Sequence, residues 1–129
     1  MLGSANFGSS LVIADLEAGI GTLTRLQAET IDVVVVVVEP TPRSIDVAQR
    51  AVALAAQRSQ GRVVVVANRV TSAEDVERIA IGLPGAEIVV VPDDAAVMDA
   101  DRRGVSPLDS APDSPAVVAI VGLASRLLP

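Results

Sequence analysis

Residues Ile31–Val38, IDVVVVVV, decide the fold of this chain. Six consecutive β-branched residues favour an extended strand, and a run with no polar alternation predicts burial on both faces, as in the middle of a parallel sheet. Upstream, Leu11–Gly21, LVIADLEAGIG, reads as a strand, Leu11 to Asp15, that stops at an acid and opens into a loop of Leu16, Glu17, Ala18 and Gly19. Downstream, Arg62–Ala67 reads as a third strand ending at Asn68, and Glu87–Val91 as a fourth ending at Pro92, Asp93 and Asp94.

The intervening segments carry helical periodicity. Thr22–Glu29 has room for about two turns, with Leu23, Leu26 and Ala28 inward. Glu39–Arg43 is a proline-stiffened loop, after which Ser44 is the expected N-cap of a helix to about Ser59 with Ile45, Ala48, Val52 and Ala55 on one face. Ser72 and Asp75 have capping-box spacing ahead of Val76, Ile79, Ala80 and Leu83, and Gly82, Pro84 and Gly85 end that helix. A short helix closes at Gly104, and Pro107–Asp113 is read as loop. Ser114 is then read as cap and Pro115 as first residue of a last helix carrying Val117, Ile120, Val121, Ala124, Leu127 and Leu128. The alternation implies right-handed crossovers and a three-layer, Rossmann-like α/β sheet of about four parallel strands. Residues 1–10 are expected to be a flexible lead-in and residues 11–129 a single domain.

Composition removes whole classes of chemistry. The net charge is −6, which argues against nucleic acid as a partner. All ten basic residues are arginine, so a phosphate-binding or Schiff-base lysine is excluded within these residues. Cysteine and histidine are absent, which leaves no means to build a disulfide, a thiol nucleophile or an ordinary zinc or nickel site from them alone; a hard oxygen-liganded ion such as Mg²⁺ is the remaining metal. No apolar run reaches the roughly 18–20 residues of a membrane span, and the first residues lack the basic flank of a signal peptide. A soluble cytoplasmic protein without a membrane partner is expected.

Polar residues gather at the predicted strand ends: Asp15, Glu39 with Pro40, Asn68 with Arg69, and Pro92 with Asp93 and Asp94. In parallel sheets the ligand crevice lies outside the carboxyl ends of the strands, so this rim suits a nucleotide or phosphate, although helix capping also places polar residues there. The run Gly19-Ile20-Gly21-Thr22-Leu23-Thr24, with Glu39 at the end of the next strand, imitates a dinucleotide fingerprint. Against it stand Thr24 in place of a small residue and too short a helix.

DLEAGI at Asp15–Ile20, VVVEPTPRS at Val36–Ser44, NRV from Asn68 and VPDDAAVMDADRRGVSPLD at Val91–Asp109 resemble the C-terminal half of a deviant P-loop ATPase of the MinD/ParA class. The resemblance is closest to the CooC-type ATPases that insert nickel into carbon monoxide dehydrogenase. It implies a truncated P-loop NTPase fold in which Asp15 is the switch-II aspartate holding Mg²⁺ through water and Gly19 the glycine that meets the γ-phosphate. It likewise implies that Asn68, with Arg69, Pro92, Asp93 and Asp94, forms the adenine pocket, and that Glu39, Pro40 and Ser44 form the turn over the switch region.

The family's glycine-rich lysine loop and Cys-x-Cys pair have no counterpart in the 129 residues. The expected role is therefore ATP-dependent metallocentre maturation with weak ATP or ADP binding and no hydrolysis by this chain alone, together with a metalloenzyme client. A homo-oligomer, or a separate chain supplying the missing N-terminal half, completes that expectation. The alternative is a non-catalytic interaction module completing its sheet with another copy or a separate chain; a dinucleotide-binding domain ranks below both.

Overall fold

The computed structural model describes residues 10–16, 31–58 and 61–128. Their elements run β1 (Val33–Val38), α1 (Pro42–Arg58), β2 (Arg62–Val70), α2 (Ala73–Gly82), β3 (Glu87–Pro92), α3 (Ala95–Arg103), α4 (Pro107–Ser110) and α5 (Pro115–Leu127). The strands form one parallel sheet in the order β1-β2-β3, with Val36 opposite Val65 and Val65 opposite Ile88. The expected α/β architecture is present, with three strands among the described residues.

The period of two along each strand divides the sheet into unlike faces. On the first, Val36, Val38, Val65 and Ala67 pack with Ile45 and Ala48 of α1 and with Ile79 of α2. On the second, Val66 and Val91 pack with Ala116 of α5, joined by Val97, Ala119 and Leu123. Both crossovers, α1 and α2, step in the same direction along the sheet and lie on the first face, as a single crossover hand requires.

Close approach fixes one glycine. A Cβ at Gly61 would collide with the carbonyl oxygens of Ile31 and Asp32, and the Arg62 amide donates to Asp32 O over 3.0 Å. Gly104 closes α3 in the left-handed conformation, φ 65°, as the sequence predicts.

Several expectations are corrected. The Leu11–Asp15 strand does not form: the segment lies in no helix or strand, and Leu11 and Ile13 are 68% and 85% exposed. An apolar run becomes a strand only by pairing its backbone groups, and no described strand pairs with it. The valine hexad is the outer strand of the described sheet, with Val35 41% and Val37 61% exposed, so it is buried on one face only. A run of identical apolar residues has no alternation by which to announce this difference.

The first helix begins two residues ahead of Ser44, at Pro42, and the Thr41 hydroxyl accepts from the Ser44 amide at 3.2 Å. Pro107–Ser110 forms a short helix, and β2 continues past Asn68 to Val70. In α5 the buried residues are Ala116 and Val117, while Ile120, Val121 and Leu128 are about half exposed. The Thr22–Glu29 helix, Gly19 and the Gly19–Thr24 spacing lie outside the described residues.

Candidate functional site

The carboxyl ends of three parallel strands meet at one rim, and Arg69 ties them together. It is the one non-glycine residue with positive φ among the described residues, at 56°, and it sits where the β2–β3 register is irregular between Ala67 and Val70. Such a backbone costs energy and is held only where its surroundings fix it. Here the guanidinium reaches Glu39 after β1 at 3.8 Å and Asp93 after β3 at 3.4 Å. The Asp93 amide donates to Val70 O at 2.9 Å, closing the strand end. All three side chains are well exposed, so these pairs set geometry more than they add stability.

The turn after β1 is closed on itself. Glu39 N donates to Ser44 Oγ at 2.9 Å, Thr41 N donates to Glu39 O at 2.8 Å, and Arg78 of α2 donates to Pro40 O at 3.3 Å. Glu39, Pro40 and Ser44 thus form one unit beside Arg69. Asn68 lies half-buried in β2, immediately before the strained arginine.

Asp94 has a structural task that its position in the sequence only half reveals. One carboxylate oxygen accepts from the Ala96 amide of α3 at 2.9 Å, and the other from the Ala116 amide of α5 at 3.0 Å. One side chain therefore caps two helices. Ser114, the expected cap of α5, makes no side-chain cap bond, and its hydroxyl is buried without a hydrogen-bond partner. The Ala116 amide, with that of Ala96, holds the Asp94 carboxyl below the usual carboxylate range, because bonds to the charged form favour it.

Beside the rim lies an open cavity of about 470 Å³, lined by Arg69, Val97, Met98, Asp101, Val105 and Pro107. Of these only Arg69 was marked by the sequence. The others sit on α3 and the turn after it, where the signal was the recurrence of Val97, Met98 and Asp101 on neighbouring helical positions. Asp15 stands exposed and lies in no strand of the sheet. No group of three or more acidic residues disposed to hold a metal occurs among the described residues.

No family model matches the chain. It is 32% identical over 102 residues to the carbon monoxide dehydrogenase accessory protein CooC of Rhodospirillum rubrum, an alignment covering 78% of this chain and 39% of that protein. An uncharacterized ATP-binding protein of Methanocaldococcus jannaschii is 32% identical over 125 residues, covering 92% of this chain and 46% of the relative. The MinD cell division protein of Aquifex aeolicus superposes with a TM-score of 0.63 at 28% identity, over 86% of this chain and 48% of its own. The chain resembles CooC-type ATPases of the MinD/ParA class.

The fold is accordingly that of a P-loop NTPase in the portion spanned, and the chain covers less than half the length of the CooC and ATP-binding relatives. The likeness to these ATPases is a likeness to nucleotide-binding proteins. Among the described residues no helix is long and apolar enough to cross a membrane.

Proposed function

We propose that this chain forms part of a CooC/MinD-type nucleotide-binding domain and holds an adenine nucleotide weakly at the rim where β2 and β3 end. The observation that carries the reading is Arg69, held at positive φ between Glu39 and Asp93 at the carboxyl ends of all three strands. Asn68 and Pro92 flank the base in this reading. Asp94 supports the site by fixing α3 and α5, since both of its oxygens already accept amides.

Asp15 would carry Mg²⁺ through water and Gly19 would meet the terminal phosphate. Without a lysine among its residues, the chain does not hydrolyse ATP alone. In its cytoplasmic setting the role is ATP-dependent metallocentre maturation for a metalloenzyme client. The metal delivered is nickel, and its ligands come from outside this chain.

Titration calorimetry with ADP and with Mg-ATP tests the reading. Binding that weakens several-fold in Asn68→Ala and in Arg69→Ala is expected. A flat isotherm for the unmodified chain with both nucleotides overturns it. A second reading, a non-catalytic module that completes its sheet with other polypeptide, is favoured by the exposure of Val35 and Val37.

A further inference from the structure

The cavity beside the rim holds one carboxylate that the fold leaves unused. Of its six lining residues, Val97, Met98, Val105 and Pro107 are apolar, and Arg69 and Asp101 alone are charged. Asp101 lies in the last turn of α3, where the helix dipole disfavours an anion. Asp99, the other acid of that helix, pairs with Arg103 at 2.9 Å, whereas the Asp101 carboxylate makes no hydrogen bond or ion pair among the described residues. The structural task at this position falls to the backbone, where the Asp101 carbonyl accepts the Gly104 amide at 3.0 Å. An acid set against its local dipole without a partner is the kind of departure that marks a functional position.

The cavity walls limit what can enter. A volume of about 470 Å³ suits a small organic ligand. Aliphatic side chains, the Met98 thioether and the flat Arg69 guanidinium can cover the faces of a planar ring without aromatic help, in a chain whose one aromatic residue is Phe7. An ionised carboxylate only accepts, so the group beside Asp101 must be a donor. Position narrows the choice further. Asp101 is seven residues beyond Asp94, which puts it about 10 Å along the helix axis from the rim. It therefore meets the far edge of a base rather than the ribose or the phosphates. Adenine carries its exocyclic amino group on that edge, where hypoxanthine and guanine carry an oxygen.

We propose that Asp101 is the specificity-determining residue of the cavity: its carboxylate accepts the exocyclic amino group of an adenine seated between Arg69 and α3. The inference deepens the nucleotide reading and rests on it for the ligand; what it adds is a side chain that selects among nucleotides. The reader is held on a fixed support. Val97 of the same helix packs with the cluster of Val66, Val91 and Ala116, and Asp94 anchors the start of α3 to α5. A base with an oxygen at this edge sets acceptor against acceptor with no proton between them, and a site rejects a near-isostere by leaving such polar groups unpaired.

Competition calorimetry on the full chain with ADP, with IDP and with purine riboside 5′-diphosphate, which lacks the amino group, tests this. ADP is expected to bind about tenfold or more tightly than either analogue, the size of one hydrogen bond to a charged acceptor. Asp101→Asn is expected to bring IDP within about twofold of ADP, because an amide can donate to the oxygen, while the thermal midpoint does not fall. Equal affinity for ADP and the two analogues in the unmodified chain overturns the inference, and so does an ADP preference that survives in Asp101→Asn. The two readings fail differently: ADP binding without discrimination removes the role of Asp101 alone, whereas no binding of any of the three nucleotides removes the nucleotide site and this inference with it.

Discussion

The two faces of one sheet differ in how completely they are closed, though valine builds both. On the first face α1 and α2 lie against the sheet and Ile79 of α2 is fully buried between them and the strands, with Val90 of β3 the more open position at 38% exposed. On the second, one helix covers two strands and leaves the outer strand's valines open. The contrast teaches that side-chain chemistry made these strands, while cover by neighbouring elements decided which of their faces became core.

Substitutions should rank by that cover. Ile79→Ala is expected to be the most damaging, at about 2–5 kcal/mol, since it leaves a cavity where α2 packs on α1 and the sheet. Denaturant unfolding checks this, and a loss below that of any second-face substitution would break the contrast. Val117→Ala, on the buried side of α5, should cost about 1–3 kcal/mol by the lost methyl groups and the space they leave.

Asp94→Ala should lower the thermal midpoint by uncapping α3 and α5 together, with a larger drop than Ser114→Ala, because the hydroxyl of Ser114 makes no cap bond. Equal drops would mean that the second face is not held through Asp94. Val37→Asp, on the open face, should change stability by no more than about 0.5 kcal/mol.

Acid sharpens the comparison further. Asp94, Asp75 and Glu87 are each held below their ordinary carboxylate values, 3.8 for Asp and 4.5 for Glu. Asp75 is held there first by the Thr71 amide and hydroxyl, and Glu87 by the guanidinium of Arg62, with Arg126 of α5 also at 3.0 Å. A lowered folded pKa means that the unfolded chain binds more protons, so this stability is complete above the ordinary values and is lost as pH falls through the folded ones. Thermal melts should therefore be flat near neutrality and decline below about pH 4. Asp94→Asn should make that decline shallower, and an unchanged slope would remove Asp94 from the account.

The strands were legible where side chains carry their own signal. Arg62–Val70 and Glu87–Pro92 are β-branched runs closed by turn residues, and the helices at Ile45, Ala48 and Ala55 and at Ile79 and Leu83 follow from spacing. Leu11–Asp15 carries the same apolar signal yet forms no strand, because strand formation depends on a partner that the segment itself does not contain. That Glu39, Arg69 and Asp93 lie at neighbouring strand ends was also legible, since a parallel order brings those ends together, although β2 runs past Asn68 to Val70. The positive φ of Arg69 and the double capping by Asp94 were not, because each depends on groups far apart in sequence.

The sequence by itself determined the parallel α/β order, the aliphatic core and the exclusion of lysine, thiol and imidazole chemistry, because composition and periodicity are local properties of the chain. Only the tertiary structure decided that the valine hexad is an outer strand with a bare face, that Arg69 bridges two strand ends and that one aspartate serves two helices. Burial and hydrogen bonding are relations between distant residues, and their outcome is fixed when the elements pack.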